Sequence, residues 1–173
     1  MRTLFTPIAG LFWLAPMLPA QEAPRAEVSA SYSYLREGNI DGTNANGGSF
    51  SVAGNFNRWF GIAGDFGAYH SSPFGQNLNA YTFLAGPRFS LRSDNRVTPF
   101  AQVPVGGAHL AAGYGGASGS TSGFAYSAGG GVDLGLTKRL ALRPQFDYIG
   151  IRASGNTLNS YRASFGVVFR FGN

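Results

Sequence analysis

The stretch YRASFGVVFRFGN fills residues 161–173, and its period decides the fold. Successive side chains of an extended chain point to opposite faces. Tyr161, Ala163, Phe165, Val167, Phe169 and Phe171 therefore share one face, and Arg162, Ser164, Gly166, Val168 and Arg170 share the other. A strand with a Phe-rich face and an arginine-bearing face needs two different surroundings. Which one lies outside is the question the rest of the chain has to answer.

Period two recurs upstream, and no sustained period of 3.6 does. Eight segments carry it, at about 27–36, 48–57, 60–70, 79–92, 96–111, 122–136, 139–152 and 159–171. Phe50, Val52 and Phe56 oppose Ser51, Ala53 and Asn55; Phe60, Ile62 and Phe66 oppose Gly61, Ala63 and Asp65. Tyr81, Phe83, Phe89 and Leu91 oppose Thr82, Leu84, Arg88 and Ser90. Phe124, Tyr126, Val132 and Leu134 oppose Ser127, Gly129, Gly131 and Asp133, and Leu140, Leu142, Phe146 and Tyr148 oppose Arg143, Gln145 and Asp147. The fifth segment is the least regular, with Val97, Ala101, Val103 and Val105 against Thr98, Phe100, Gln102 and Pro104. Short turns at 57–60, 92–96 and 136–139 alternate with longer polar or Gly-rich loops at 37–47, 71–78, 112–121 and 153–158. That alternation makes an up-and-down meander with one kind of connection at each end.

Two signs orient the faces. The polar face is built from Gly, Ser, Ala and single charges of both signs, and the whole chain contains one lysine, Lys138. A face turned to water usually carries many Lys and Glu. The aromatics are also layered: every Tyr falls in the long-loop half or in a long loop, whereas Phe56, Trp59, Phe60, Phe89, Phe100, Phe169 and Phe171 fall at the short-turn end. Aromatic girdles flanking an outward apolar band, over a polar interior, belong to transmembrane β-barrels. Segments of this length suffice, since a tilted strand crosses in about 9–11 residues. In lipid the sheet must close, because an open edge has no water to bond. The expected fold is all-β, a closed eight-stranded antiparallel up-and-down transmembrane β-barrel.

On this reading the girdles comprise Tyr32, Tyr34, Trp59, Phe60, Tyr81, Phe89, Tyr126, Tyr148, Tyr161, Phe169 and Phe171. Eight strands leave an interior that side chains can just fill. The inward charges are Glu27, Asp65, Arg88, Asp133, Arg143, Asp147, Arg162 and Arg170, of both signs, which suits packed ion pairs. Counting across the 136–139 turn sets Asp133 nearly opposite Leu142 and diagonal to Arg143, and closure of the last strand on the first sets Arg170 near Glu27. Both pairs are expected. The glycines of AGGGVD (128–133) are expected to make room for lumen side chains.

Composition agrees. Of 173 residues only 12% are charged, against about 25% in ordinary soluble domains. There is no Cys, hence no disulfide or thiolate metal site. The net charge of +5 is spread along the chain, without the basic patch of a nucleic-acid binder. Residues 1–20 differ from the rest: an early Arg2, an apolar middle broken by Pro7 and Pro16, and a small Ala20 read as a cleaved signal peptide. Residues 21–26 then form a short periplasmic segment and 27–173 the barrel.

The segments VSASYSYLR, SVAGNFNRWFGIAGDFG, TFLAGPRFSLR, RVTPFAQVPVGGA, AGGGVDLGLTKRLALRP and YRASFGVVFRF resemble the small eight-stranded outer-membrane barrels of the OmpA/OmpX-like group, the outer membrane protein β-barrel domain, over about residues 26–171. The resemblance implies an outer-membrane location, lipid and the membrane-insertion machinery as partners, and a monomer. It also implies a closing-strand assembly signal, here Phe165, Val167, Phe169 and Phe171, followed by Gly172 and Asn173, and no peptidoglycan-binding domain in this chain. The role expected is structural or surface-interactive, carried by four loops, with a narrow or gated pore as the alternative.

Catalysis is the weakest reading. His70 and Ser72 share a face at the loop rim, as in barrel lipid A deacylases, where a serine needs a neighbouring base. Pro73 follows at once and no acid is evidently placed to orient His70. Asp65 and Asp147 lie near arginines that keep them ionised. GYGGASG (113–119) lacks the helix and lysine of a phosphate loop. Two His and no Cys make no metal site, and no cofactor is expected.

Overall fold

Among the described residues the alternating segments form nine antiparallel strands: β1 Ala26–Glu37, β2 Asn44–Asn55, β3 Phe60–Ser71, β4 Asn77–Ser90, β5 Val97–Gln102, β6 Val105–Tyr114, β7 Ala117–Gly135, β8 Leu140–Ala153 and β9 Asn156–Phe171. This is a computed structural model, and it describes residues 24–38, 44–72, 77–92, 96–114, 117–153 and 155–172. The segment read as a signal peptide lies outside the described residues.

Each strand pairs with its sequence neighbour except β5 and β6, which both pair with β4 and β7, and β1 also pairs with β9, so the sheet is a ring. Closure runs from Ala26 opposite Phe171 to Glu37 opposite Ser160. The ring has eight staves, because β5 and β6 lie end to end. Arg88 faces Gln102 on one side of the gap and Ala85 faces Val105 on the other, with no slip of register. The break falls at Val103 and Pro104. Proline has no N–H to give a ladder, but the flanking groups still bond: Val103 N donates to Pro87 O at 3.2 Å and Ser127 N to Pro104 O at 2.8 Å. The irregular fifth segment is thus one continuous stave with a proline in it.

Two of the short turns share a device. Asn57 Oδ1 accepts from Trp59 N and Phe60 N at 2.9 and 2.7 Å. Thr137 Oγ1 accepts from Arg139 N and Leu140 N at 3.2 and 3.0 Å. A short polar side chain bonding its own backbone two or three residues on is what fixes such turns.

The opposite end corrects the sequence reading. The segments 112–121 and 153–158, expected as loops, are largely paired strand: β6 and β7 pair as far as Tyr114 opposite Ala117, and β8 and β9 as far as Ala153 opposite Asn156. Above a membrane both faces of a hairpin meet water, so apolar alternation vanishes although the ladder continues. β7 has 19 residues against 14 in β8. Among the described residues its pairing with β8 runs to Phe124 opposite Arg152, whereas its pairing with β6 continues to Ala117.

The Phe-rich faces point outward. Phe165, Phe169 and Phe171 are each more than half exposed, while Arg162 is 0% exposed. At the short-turn end Phe56, Trp59, Phe60 and Phe89 stack with centroids 5.4–6.2 Å apart. Higher up, Phe124, Tyr126, Tyr148, Tyr161 and Phe146 form a second string at 5.7–6.3 Å. Tyr69 and Phe100, on the inward parity of Asp65 and Gln102, are both buried. Phe100 is held between two guanidiniums, with Arg88 and Arg143 each 4.7 Å from its ring centroid.

Gly129 does make room inside. A Cβ there would strike the Asp147 carboxylate and the carbonyl of Phe146. Gly129→Val should cost about 1–3 kcal/mol through overpacking, read as a lower denaturant midpoint of the refolded protein. Gly172, at φ +79°, takes the left-handed backbone that turns the chain off the end of β9.

Candidate functional site

The lumen gathers the inward charges in two tiers. In the lower one Arg143 donates to Asp133 through Nε at 2.5 Å and Nη2 at 2.8 Å. Its Nη2 also reaches Glu27 at 2.9 Å. The β7–β8 register sets Leu134, not Asp133, opposite Leu142. Carried on, it sets Asp133 level with Arg143 rather than diagonal to it, which is the geometry a bidentate pair needs. Glu27 and Arg170 face each other across the closing ladder. Their charges part company, however: Arg170 turns to Asp133 at 3.3 Å. Glu27 instead takes Arg143, Arg92 and, at 3.6 Å, Arg88. Competition decides this, since three guanidiniums and the Asn55 amide, at 3.3 Å, already take up the acceptor sites of the Glu27 carboxylate. Arg92 reaches in from the turn after β4, where alternation gives no signal. Arg88 also donates to Gln102 at 2.9 and 3.1 Å.

The upper tier is built on Arg162. Its Nη1 donates to Asp65 at 2.7 Å and to Tyr69 Oη at 2.9 Å. Its Nε and Nη2 donate to Asp147 at 2.9 and 2.8 Å. Gln145 adds an amide donor to Asp147 at 2.8 Å. One guanidinium thus bridges Asp65 and Asp147.

Beside this tier apolar residues join the interior, against expectation, among the buried hydroxyls of Thr82, Ser127 and Ser160. Leu84, Ala108, Ala125, Ile149 and Ile151 form a buried cluster, with Leu110 and Leu158 packed against it. These residues share the inward parity of the ionic set. Extending the alternation along β4, β6, β7, β8 and β9 would have found them.

At the outer rim, His70 and Ser72 do meet: Ser72 Oγ lies 3.0 Å from His70 Nε2, and His70 Nδ1 lies 2.8 Å from Asn79 Oδ1. The same motif recurs around the barrel. Tyr32 Oη donates to Asn46 at 3.1 Å, Tyr148 Oη to Asn159 at 2.6 Å, and His109 Nδ1 sits 2.9 Å from Ser122 Oγ. Each of the four hairpins at this end carries one such outward side-chain bridge. His70 and Ser72 therefore read as one unit of a polar belt, and Pro73 lies outside the described residues. Among the described residues no three His, Asp or Glu come together as a metal site.

A closed eight-stave ring with an apolar outer face and an ion-paired interior meets its match in a family model. Residues 8–171 fit the outer membrane protein beta-barrel domain. The chain belongs to that family. Its fold is similar to Neisserial surface protein A (18% identity, 84% of this chain and 96% of that one, TM-score 0.68). It is similar to the N-terminal β-barrel domain of Pseudomonas aeruginosa OprF (16%, 86% and 100%, TM-score 0.59) and to Ail of Yersinia pestis (17%, 83% and 96%, TM-score 0.55). No curated protein matches the sequence. At these identities the likenesses speak for the fold, and membership places the chain among outer-membrane barrels.

Proposed function

We propose that the protein is a non-conducting outer-membrane barrel that works at the cell surface, through the projecting β6–β7 hairpin and its neighbours. The observation that carries this reading is the filled lumen. Five guanidiniums and four carboxylates interlock across it, from Glu27 and Asp133 below to Arg162 above. A conducting channel needs a water-filled interior, and here both the ionic tiers and the apolar cluster occupy the space. The outward aromatics then sit at the two membrane boundaries, with lipid as their partner. Phe165, Val167, Phe169 and Phe171 present the face that the insertion machinery would read, and the barrel works as a monomer.

The test has two arms. Reconstituted into planar bilayers, the protein should give no reproducible conductance steps; regular steps would replace this reading with a pore. Replacing 112–121 by a short turn should leave the heat-modifiable gel shift intact and reduce binding of whole cells to host or abiotic surfaces. Unchanged binding would remove the surface role.

A further inference from the structure

Above the apolar cluster the lumen opens into a cavity of about 410 Å³, lined chiefly by Leu35, Tyr69, Leu78, Leu110, Ile151 and Leu158. These side chains come from β1, β3, β4, β6, β8 and β9, so the cavity is the mouth of the barrel itself. We infer that this mouth is a binding pocket for a small, uncharged, largely apolar molecule that enters from outside the cell.

The cavity is closed below, because the cluster around Leu84 and Ile149 and then the Arg162 tier lie beneath it. Its wall is hydrogen-bonded nearly to the lip: Glu37 pairs with Ser160, Ser71 with Leu78, and Asn77 with Gly113. Among the described residues the β7–β8 pairing ends lower, at Phe124 opposite Arg152. The opening therefore faces the medium beyond the polar belt rather than the lipid. Apolar surface exposed to water in a concave site is unfavourable, and displacing that water by an apolar ligand is the usual gain in such pockets. Among the described side chains that line it none is charged. Arg162, whose bond to Tyr69 reaches the floor, is already committed to two carboxylates. An ionised ligand would lose its hydration and find no counter-charge among the described lining. The size falls in the range of small-molecule sites. This goes beyond the surface role proposed above, and it stands whether or not the hairpin has a partner.

The test titrates indole into the refolded protein, methyl-labelled at Leu, Ile and Val, in perdeuterated detergent. Leu35, Leu110, Ile151 and Leu158 methyls should shift and saturate, while the outward Ile62 and Val167 shift little. Benzoate at the same concentrations should leave all of them in place. Shifts that grow linearly without saturation, or that are equal at Ile62 and Val167, would mean partition into detergent and overturn the pocket. Ala45→Trp, which fills the cavity from β2, should weaken the titration at least tenfold. Ser160→Phe, from β9, serves as the second filling variant if the first fails to refold. A filled variant that refolds and keeps the wild-type titration also overturns the proposal.

Discussion

Arg162→Leu should lower the unfolding free energy by about 3–5 kcal/mol, the cost of removing one partner from a buried ionic set. Arg162 is wholly buried and bridges Asp65 and Asp147, themselves 7% and 0% exposed. The substitution leaves two carboxylates in the lumen with their shared cation gone. Gln145 can still satisfy Asp147 in part, but Tyr69 loses the donor that its oxygen accepts. Urea unfolding in phospholipid vesicles, followed by Trp59 fluorescence, reads the loss. The triple change of Arg162, Asp65 and Asp147 to Leu should recover most of it, because a buried ionic set replaced as a whole by apolar groups is often close to neutral. A single-variant loss under about 1 kcal/mol would put this tier in the range of exposed ion pairs and contradict a dry lumen. Arg170→Leu supplies the contrast: with its side chain 13% exposed and its ion pair to Asp133 at 3.3 Å, it should cost less than Arg162→Leu.

How much of this was legible in the sequence follows from where alternation operates. Within the membrane the two faces of every strand meet opposite surroundings. Period two therefore identified the staves, the outward Phe165–Phe171 face and the inward Arg162 from residue types alone. It failed in three places for three reasons. At 112–121 and 153–158 the strands rise into water on both sides, and Gly, Ser and Thr read as loop although the ladder continues. At Glu27 the register was right but the partner was wrong, because Arg92 comes from a turn and Arg170 had a second acid within reach. Inside the mouth, Leu110, Ile151 and Leu158 kept the right parity but not the expected polarity. A lumen need only be full, and where no ions pair it fills with leucine and isoleucine. The candidate pocket was missed for that reason: the polar-interior rule for channels was carried to a barrel whose upper interior is lined with leucine and isoleucine.

The outward face makes the second large prediction. Phe165 lies midway along β9 between Tyr161 and Phe169, opposite Tyr32 on β1 and Pro144 on β8, and its ring is 56% exposed. In water that exposure would be an aggregation hazard; in lipid it is the contact surface. Phe165→Arg should therefore cost about 2–4 kcal/mol, the figure for a cation at the midplane of a barrel's lipid face. Phe171→Arg, at the boundary, should cost about 0–1 kcal/mol by the same depth dependence. The pair controls for the change in side chain, since only depth differs. Both are read by reversible urea unfolding in vesicles, with heat-modifiable gel mobility reporting that each variant still closes its ring. If the Phe-rich face met water, the two substitutions would cost alike and both would favour solubility. Equal small effects, or a protein that stays monomeric without detergent, would place the arginine face outside and invert every stave of the barrel.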